Sequence, residues 1–475
     1  MKDNMRPFIL AGEHVYTDDS ISVLNKYTEE PIANIALATS DHIEKAICAA
    51  KGVTEALRDL SGKDRQDILT YIADRIELDK EEFSEVICHE VGKTIKEARG
   101  EVARCIETFR LASQVSLQLD DQVVSLGDDA SLAMYKGLIR RVPIGLVSCI
   151  TPFNFPANLV AHKVAPAIAA GCPFILKPAL NTPMSALMIG DIIRESDLPR
   201  RSFSILSCRD EDASAMITDD RIKMFTFTGS SKVGWKLKQR ARYKRVTLEL
   251  GGNAACVVEP DVEDLNDLAD RLVNAAYAQA GQSCISLQRL YIHQDIYNTL
   301  KSMLVERVQK LVVGDPSDAS TDVGGLISHM DAERVEQWIK DAVDGGAVLL
   351  AGGKKEGVCV TPAILEEVDR KQKLMKEEVF GPVMVLNSYN CFEEVIDEVN
   401  DSRYGLQAGV FTQDKQKINK AWDRLEVGGV MINEVPTWRA DAMPYGGVKE
   451  SGCGHEGVKY AVEEMTVPRL CVIKE

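Results

Sequence analysis

"GLVSCITPFNFPANLVAHKVAPAIAAGCPFILK", residues 145–177, decides the fold. Its two ends, "GLVSCI" (145–150) and "PFILK" (173–177), are short apolar runs, as expected of strands buried on both faces. Residues near 156–170 between them carry a helical pattern. Strand, helix and strand in this order form a crossover that makes the two strands parallel. The pattern then repeats: "SFSIL" (202–206), "KMFTFT" (223–228) and "RVTLEL" (245–250) read as further buried strands. Helices are predicted near 182–195, 211–218 and 231–242. The fold class is α/β, with a doubly wound parallel sheet.

A second set follows Gly251: "AACVVE", a helix near 262–279, "LQRLYIH", a helix near 294–312, "VMVLNSY", a helix near 391–400, and "AGVFT". That is a second α/β unit. Upstream, the first 120 residues read mostly as helices, beginning with "SDHIEKAICAAKGVTEAL" capped by Ser40 or Asp41, then near 64–77, 80–90 and 93–118. From 122 to 142 the pattern is irregular and strand-like. A chain of 475 residues exceeds one ordinary core and divides into two or three domains.

The 56 basic and 72 acidic residues give a net charge of −16, which argues against nucleic acid or an anionic membrane as partner. The basic run Lys232–Arg245 reads as a solvated helix face. The uncharged stretch Val142–Ala161 contains Pro143, Pro152, Pro156, Asn154 and Asn158, too many breakers and amides for a membrane span. "MKDNMRPFILAGEHV" is not a signal peptide, and the scattered cysteines form no CxxC motif, so reduced thiols and a cytoplasmic location are expected. The histidines lack HxxxH or HExxH spacing, so no metal site is expected.

Eleven of the twelve cysteines read as small hydrophobes in apolar or helical surroundings. Cys284 differs, because Gly281, Gln282 and Ser283 before it leave a side chain open to approach. It is either one more buried thiol or a displayed nucleophile. Glu249 stands near the end of an apolar strand, where open α/β sheets carry their chemistry. It reads as a structural carboxylate or as a general base with a raised pKa. In "ITPFNFP" two prolines hold a loop around Asn154, either a rigid turn or an amide aimed at a developing oxyanion. Gly229 turns the chain after Thr228, and Ser230 opens a helix whose N-terminus suits a diphosphate. The letters "GCGHEG" (452–457) match GxGxxG, but no strand precedes them, so they read as a loop.

In order along the chain, "TPFNFP" (151–156), "LKPA" (176–179), "FTGS" (227–230), "LELGG" (248–252), "GQSC" (281–284), "EEVFGP" (377–382) and "PYGGVKESGCG" (444–454) resemble the aldehyde dehydrogenase superfamily. The resemblance implies NAD- or NADP-dependent oxidation of a small aldehyde to a carboxylic acid. Cys284 would be the nucleophile, Asn154 with the Cys284 backbone N–H the oxyanion hole, and Glu249 the base that hydrolyses the thioester. Lys177 would bond the cofactor ribose, Ser230 the diphosphate and Glu378 the nicotinamide ribose, with Phe380 packing beside it. Thr151, Pro152, Phe153, Gly229, Val233, Leu250 and Gly251 complete the implied cofactor set.

The resemblance also implies a cofactor domain from 1–121 and 143–250, and a catalytic domain at 251–430. A small β oligomerisation arm would come from 122–142 and 467–475, and 431–466 would return the chain to the cofactor domain. Such arms imply a homodimer or homotetramer.

Four positions depart from the common pattern. Leu180 replaces a Glu that many NAD-using relatives carry, and Arg209 stands at a usual glycine, so both NAD and NADP stay open. His162-Lys163 matches the branch resembling lactaldehyde, phosphonoacetaldehyde and non-phosphorylating glyceraldehyde-3-phosphate dehydrogenases. Ser283 stands where several phosphate-handling members have Arg, which argues against a phosphorylated substrate. His162 and Arg439 are the candidate substrate residues; Arg439 either pairs with Asp441 at the surface or offers its guanidinium to an anionic aldehyde. A CoA-acylating enzyme and a non-catalytic scaffold are the competing expectations.

Overall fold

The strand Leu146–Ile150 lies inside an eight-stranded sheet, between Ile222–Thr228 on one side and Phe174–Lys177 on the other. The parallel core runs Arg245–Glu249, Ile222–Thr228, Leu146–Ile150, Phe174–Lys177, Phe203–Ile205. Winding proceeds outward from Leu146–Ile150 through two strands, then returns to its other side for the last two. That reversal is a topological switch point, and crevices at the carboxyl ends of the strands flanking it hold ligands in open α/β sheets. The two segments leaving those ends are Thr151–Asn154 and Gly229–Ser230.

A computed structural model of the chain describes residues 5–119 and 121–474. The second α/β unit is a seven-stranded sheet, parallel except at one edge. Its central strands are Val383–Tyr389, Leu287–His293, Ala254–Val258 and Gln407–Phe411. Each sheet is bedded in its own apolar cluster. Helix Asn158–Ala170 is buried along its whole length, enclosed by the sheet and by helices Gly62–Leu78 and Ile95–Ser116. Thus even His162 and Lys163 on that helix lie in the interior.

The strand-like stretch after 122 becomes Gln122–Val124 and Tyr135–Pro143. These join Thr466–Lys474 in an antiparallel sheet, with Val467 opposite Val142 and Lys474 opposite Tyr135. Val123, Leu470, Val472 and Ile473 on this sheet are exposed.

Two parts of the chain differ from the sequence reading. Residues 5–36 form five short strands rather than helix, of which Phe8–Leu10 extends the eight-stranded sheet in antiparallel sense. Each is six residues or fewer and partly exposed, too short to display an apolar period. Residues 313–382 contain helix His329–Asp344 and strands Val348–Ala351 and Ala363–Glu366, which the sequence pass leaves unassigned. Among the described residues no helix is long and apolar enough to cross a membrane.

Candidate active site

Cys284 follows a backbone kink. Gln279, Ala280 and Gly281 all take left-handed conformations, with φ of 54°, 52° and 70°. For the two non-glycine residues this is costly, and such strain persists only where surrounding contacts over-determine it. Here they do. The Gln279 amide donates to Glu97, and the Gln279 side chain and the Asn154 carbonyl both accept from the buried Lys93 ammonium, at 3.1 and 2.8 Å. Lys93 is also ion-paired with Glu101, whose second oxygen accepts from the amides of Ala157 and Asn158 at the start of the buried helix. One network therefore grips both the Asn154 loop and the Cys284 loop.

Close approach does the rest. A Cβ on Gly281 would lie 2.1 Å from the Gly381 carbonyl oxygen, and one on Gly252 would lie 2.0 Å from that of Cys284. The end of strand Arg245–Glu249 is thereby seated directly under the cysteine loop. Asn154 completes the junction by donating its side-chain amide to the Gln282 carbonyl at 2.9 Å.

These loops enclose a cavity of about 730 Å³. Cys284, Glu249, Asn154, Arg439, Pro152, Phe153, Gly229, Ser230, Leu250, Gly251, Glu378 and Phe380 all line it. Four predicted residues do not. Thr151 is buried beneath, its amide bonded to the Lys177 carbonyl at 3.2 Å. Lys177 reaches the exposed Asp210 at 2.9 Å, and Val233 faces solvent. His162 sits behind the wall, 2.8 Å from Asp441. The surface pair Arg439–Asp441 is not formed. Asp441 is held by Arg104 at 2.6 Å and by His162, while the buried Arg439 turns inward, 3.6 Å from Glu456 and 3.7 Å over the Tyr445 ring. The cysteines also divide less simply than expected, since Cys48 and Cys471 are exposed.

Burial dominates the electrostatics of the site. Burial pushes the Cys284 thiol up to about 12; a hydrogen bond with Tyr445 at 3.0 Å and the nearby Arg439 act against that rise, and Glu378 and Glu249 add to it. Burial also raises Glu249 well above the ordinary carboxylate range, reinforced by the charge of Glu456 and opposed by Arg439 and Lys163. Neither Glu249 oxygen has a protein hydrogen-bond partner. Glu456 is buried too, but Lys163 at 2.8 Å, His162 and Arg439 outweigh burial and hold it low. The two carboxylates are thus set apart: Glu456 charged, Glu249 ready to exchange a proton.

The crevice at the switch point has the features a dinucleotide needs. Ser230 caps helix Ser231–Arg240 without a side-chain cap bond, and no acidic residue occupies the first turn, so its N–H groups favour an anion. A Cβ on Gly251 would lie 2.4 Å from a Glu378 oxygen, which brings that carboxylate to the cavity edge. Burial raises Glu378 to about 7. Phe153 and Phe380 meet edge to face, with centroids 5.8 Å apart, as an apolar wall.

Residues 14–470 match the aldehyde dehydrogenase family. The chain belongs to that family. It is therefore an oxidoreductase that oxidises aldehydes with NAD or NADP. This aldehyde dehydrogenase is 42% identical over 464 residues to the 3-sulfolactaldehyde dehydrogenase of Priestia aryabhattai, covering 97% of this chain and 96% of the relative. The crystal structure of aldehyde dehydrogenase 21 from Physcomitrella patens, in complex with the reaction product succinate, superposes with a TM-score of 0.98 at 42% identity. It covers 100% of this chain and 99% of that one. A glyceraldehyde-3-phosphate dehydrogenase from Methanocaldococcus jannaschii, complexed with NADP, matches at 39% identity and TM-score 0.92, covering 97% and 100%.

Several residues of the dehydrogenase site escape sequence reasoning. Tyr445 and Glu456 both lie in the stretch that begins with "PYGG", but nothing in the letters aims them at Cys284 or Glu249. Lys93 and Gln279 look like ordinary helix-end polar residues, and Glu101 like one more charge within a helix, until the fold joins them.

Proposed function

We propose that this enzyme oxidises a small anionic aldehyde to its carboxylic acid through a covalent intermediate on Cys284. The observation that carries the reading is the convergence of Cys284, Glu249 and Asn154 on one cavity beside the switch point. The Cys284 thiolate attacks the aldehyde carbon, forming a C–S bond and an oxyanion. The remaining Asn154 amide N–H and the Cys284 backbone N–H receive that oxyanion, a stabilisation worth about 10²–10³ in rate per donor. The bound nicotinamide supplies the hydride acceptor, and the cysteine is left as a thioester. Glu249, once ionised, takes a proton from water; the resulting hydroxide attacks the thioester, the C–S bond breaks, and the acid leaves. Because burial raises Glu249, this second half speeds up as pH rises through a value above the ordinary carboxylate range.

Ser230 and Gly229 would receive the diphosphate, Lys177 a cofactor ribose on leaving Asp210, and Glu378 the nicotinamide ribose, with Phe380 and Phe153 as the wall. Thr151 supports its loop from beneath, Val233 has no contact with the cavity, and Leu250 and Gly251 line it. Retention of Glu249 supports hydrolysis over transfer to coenzyme A. Arg439 on the cavity wall supports an anionic substrate, in keeping with the 3-sulfolactaldehyde relative and the succinate complex. His162 acts through Asp441 rather than by contact.

In this reading the eight-stranded sheet (1–121, 143–250) is the cofactor domain and the seven-stranded one (251–430) the catalytic domain, with 431–466 returning between them. The exposed apolar side chains of the arm support a homodimer or homotetramer. Neither nucleic acid nor membrane is a partner, and the enzyme works in the cytoplasm. Cys284→Ala tests the core of the reading. It is expected to bind cofactor normally yet lose aldehyde oxidation by several orders of magnitude. Near-normal turnover would refute it.

A further inference from the structure

Cys284 Sγ and Tyr445 Oη lie 3.0 Å apart. Both belong to a small cluster with Ile285, Leu406 and Met443, which shields that side of the sulfur. A neutral thiol is a poor hydrogen-bond acceptor, whereas a thiolate is a strong one. The contact therefore strengthens when the sulfur ionises and the hydroxyl donates to it.

The tyrosine is held on two sides. Its backbone N–H donates to the Glu456 carbonyl at 3.0 Å, and its own carbonyl accepts from the Glu456 amide at 2.6 Å. Above the ring lies the Arg439 guanidinium, 3.7 Å from the centroid. A cation on that face draws electron density from the phenol and makes its O–H the better donor. Elsewhere the surroundings oppose a charged sulfur: Glu249 and Glu378 are both negative when ionised, and burial disfavours the charge. Arg439 and the Tyr445 hydroxyl are the two groups facing the sulfur that favour the charged form.

We propose that Tyr445 is a further catalytic residue, whose hydroxyl donates to the Cys284 sulfur and stabilises the thiolate, with Arg439 holding and polarising the ring. This rests on Cys284 being the nucleophile. The thiol proton passes to water, and Tyr445 keeps its own. On attack the charge moves from sulfur to the carbonyl oxygen and the hydrogen bond weakens. On thioester breakdown the sulfur departs as thiolate and the bond re-forms. Tyr445 thus assists both entry to and exit from the covalent intermediate.

The test is Tyr445→Phe in the full enzyme, which removes one oxygen and keeps the ring. Iodoacetamide labelling is followed on the Cys284 peptide by mass spectrometry from about pH 6 to about pH 10, so that Cys48 and Cys471 do not contribute. The expected result is a labelling rate lower by about 10-fold across that range, which lies below the titration of the thiol. Cofactor affinity should be unchanged. An unchanged rate overturns the proposal, and 3-fluorotyrosine at position 445 separates a merely misplaced cysteine, because only a hydrogen bond to the sulfur responds to a more acidic phenol. Should the variant fail to fold, 3-fluorotyrosine at position 445 serves instead: a more acidic phenol is expected to raise neutral-pH labelling, and no change overturns the proposal. If labelling of wild-type Cys284 leaves aldehyde oxidation intact, the nucleophile assignment fails instead.

Discussion

Asn154 donates its side-chain amide to the Gln282 carbonyl at 2.9 Å, so the Asn154 loop and the Cys284 loop share one hydrogen bond. One amide N–H is spent on register, and the other is left for the substrate. Asn154→Ala removes both. The expected loss is about 10²–10³ in kcat/KM, with the cofactor dissociation constant unchanged. Steady-state kinetics with a cofactor titration check this, and a loss under about 10-fold would take Asn154 out of the oxyanion hole.

The Lys93–Glu101 pair is fully buried and reaches Asn154, Gln279 and the start of helix Asn158–Ala170. Lys93→Met strands Glu101 without its cation. Breaking a buried pair in this way typically costs about 3–5 kcal/mol. Denaturant unfolding should show that loss, and the double variant Lys93→Met/Glu101→Gln should recover part of it, because the orphaned charge is gone. Equal stability of single and double variants would mean that the pair is not coupled as described.

Arg439 faces the cavity and has no carboxylate at hydrogen-bond distance, its nearest being Glu456 at 3.6 Å. If it receives the substrate anion, Arg439→Ala should raise KM for an anionic aldehyde by about 10- to 100-fold, the worth of a charged hydrogen bond or two. A neutral aldehyde should show a much smaller change. Any effect through Tyr445 falls on both substrates alike, so the ratio isolates the anion contact. Equal effects would remove Arg439 from substrate recognition.

The sheet of residues 145–250 is legible because buried parallel strands leave short runs rich in apolar residues, such as "GLVSCI" and "PFILK". The strands of residues 5–36 are not, being short, edge-placed and partly polar, as Ser20–Leu24 illustrates. Helix His329–Asp344 buries Ala332, Val335, Ile339 and Ala342 at helical spacing, yet its strongly charged outer face hides it among loop-like residues.

The site divides in the same way. Cys284, Glu249 and Asn154 stand at strand ends and turns, where local sequence carries a signal. Tyr445 meets Cys284 across 161 residues, and Lys93 meets Gln279 across 186. Only tertiary folding creates such pairs. Glu456 lies inside "GCGHEG", which reads as a loop; only Gly452–Cys453 form a short edge strand, with Gly452 opposite Glu249, and Glu456 lies in the loop that follows. Of the two readings of Arg439, the fold removes the surface pair by giving Asp441 to Arg104 and His162.

The central claim is that a thioester forms on Cys284 and that Glu249 drives its hydrolysis. Glu249→Gln keeps the shape of the side chain but cannot take a proton, and loss of a general base typically costs about 10²–10⁴ in rate. Intact-mass and peptide mass spectrometry of this variant, quenched after mixing with aldehyde and oxidised cofactor, tests the claim most directly. The account predicts an acyl group on Cys284 in nearly every molecule, matched by a burst of reduced cofactor approaching one per active site. Steady turnover at the wild-type rate with an unmodified Cys284 would contradict it.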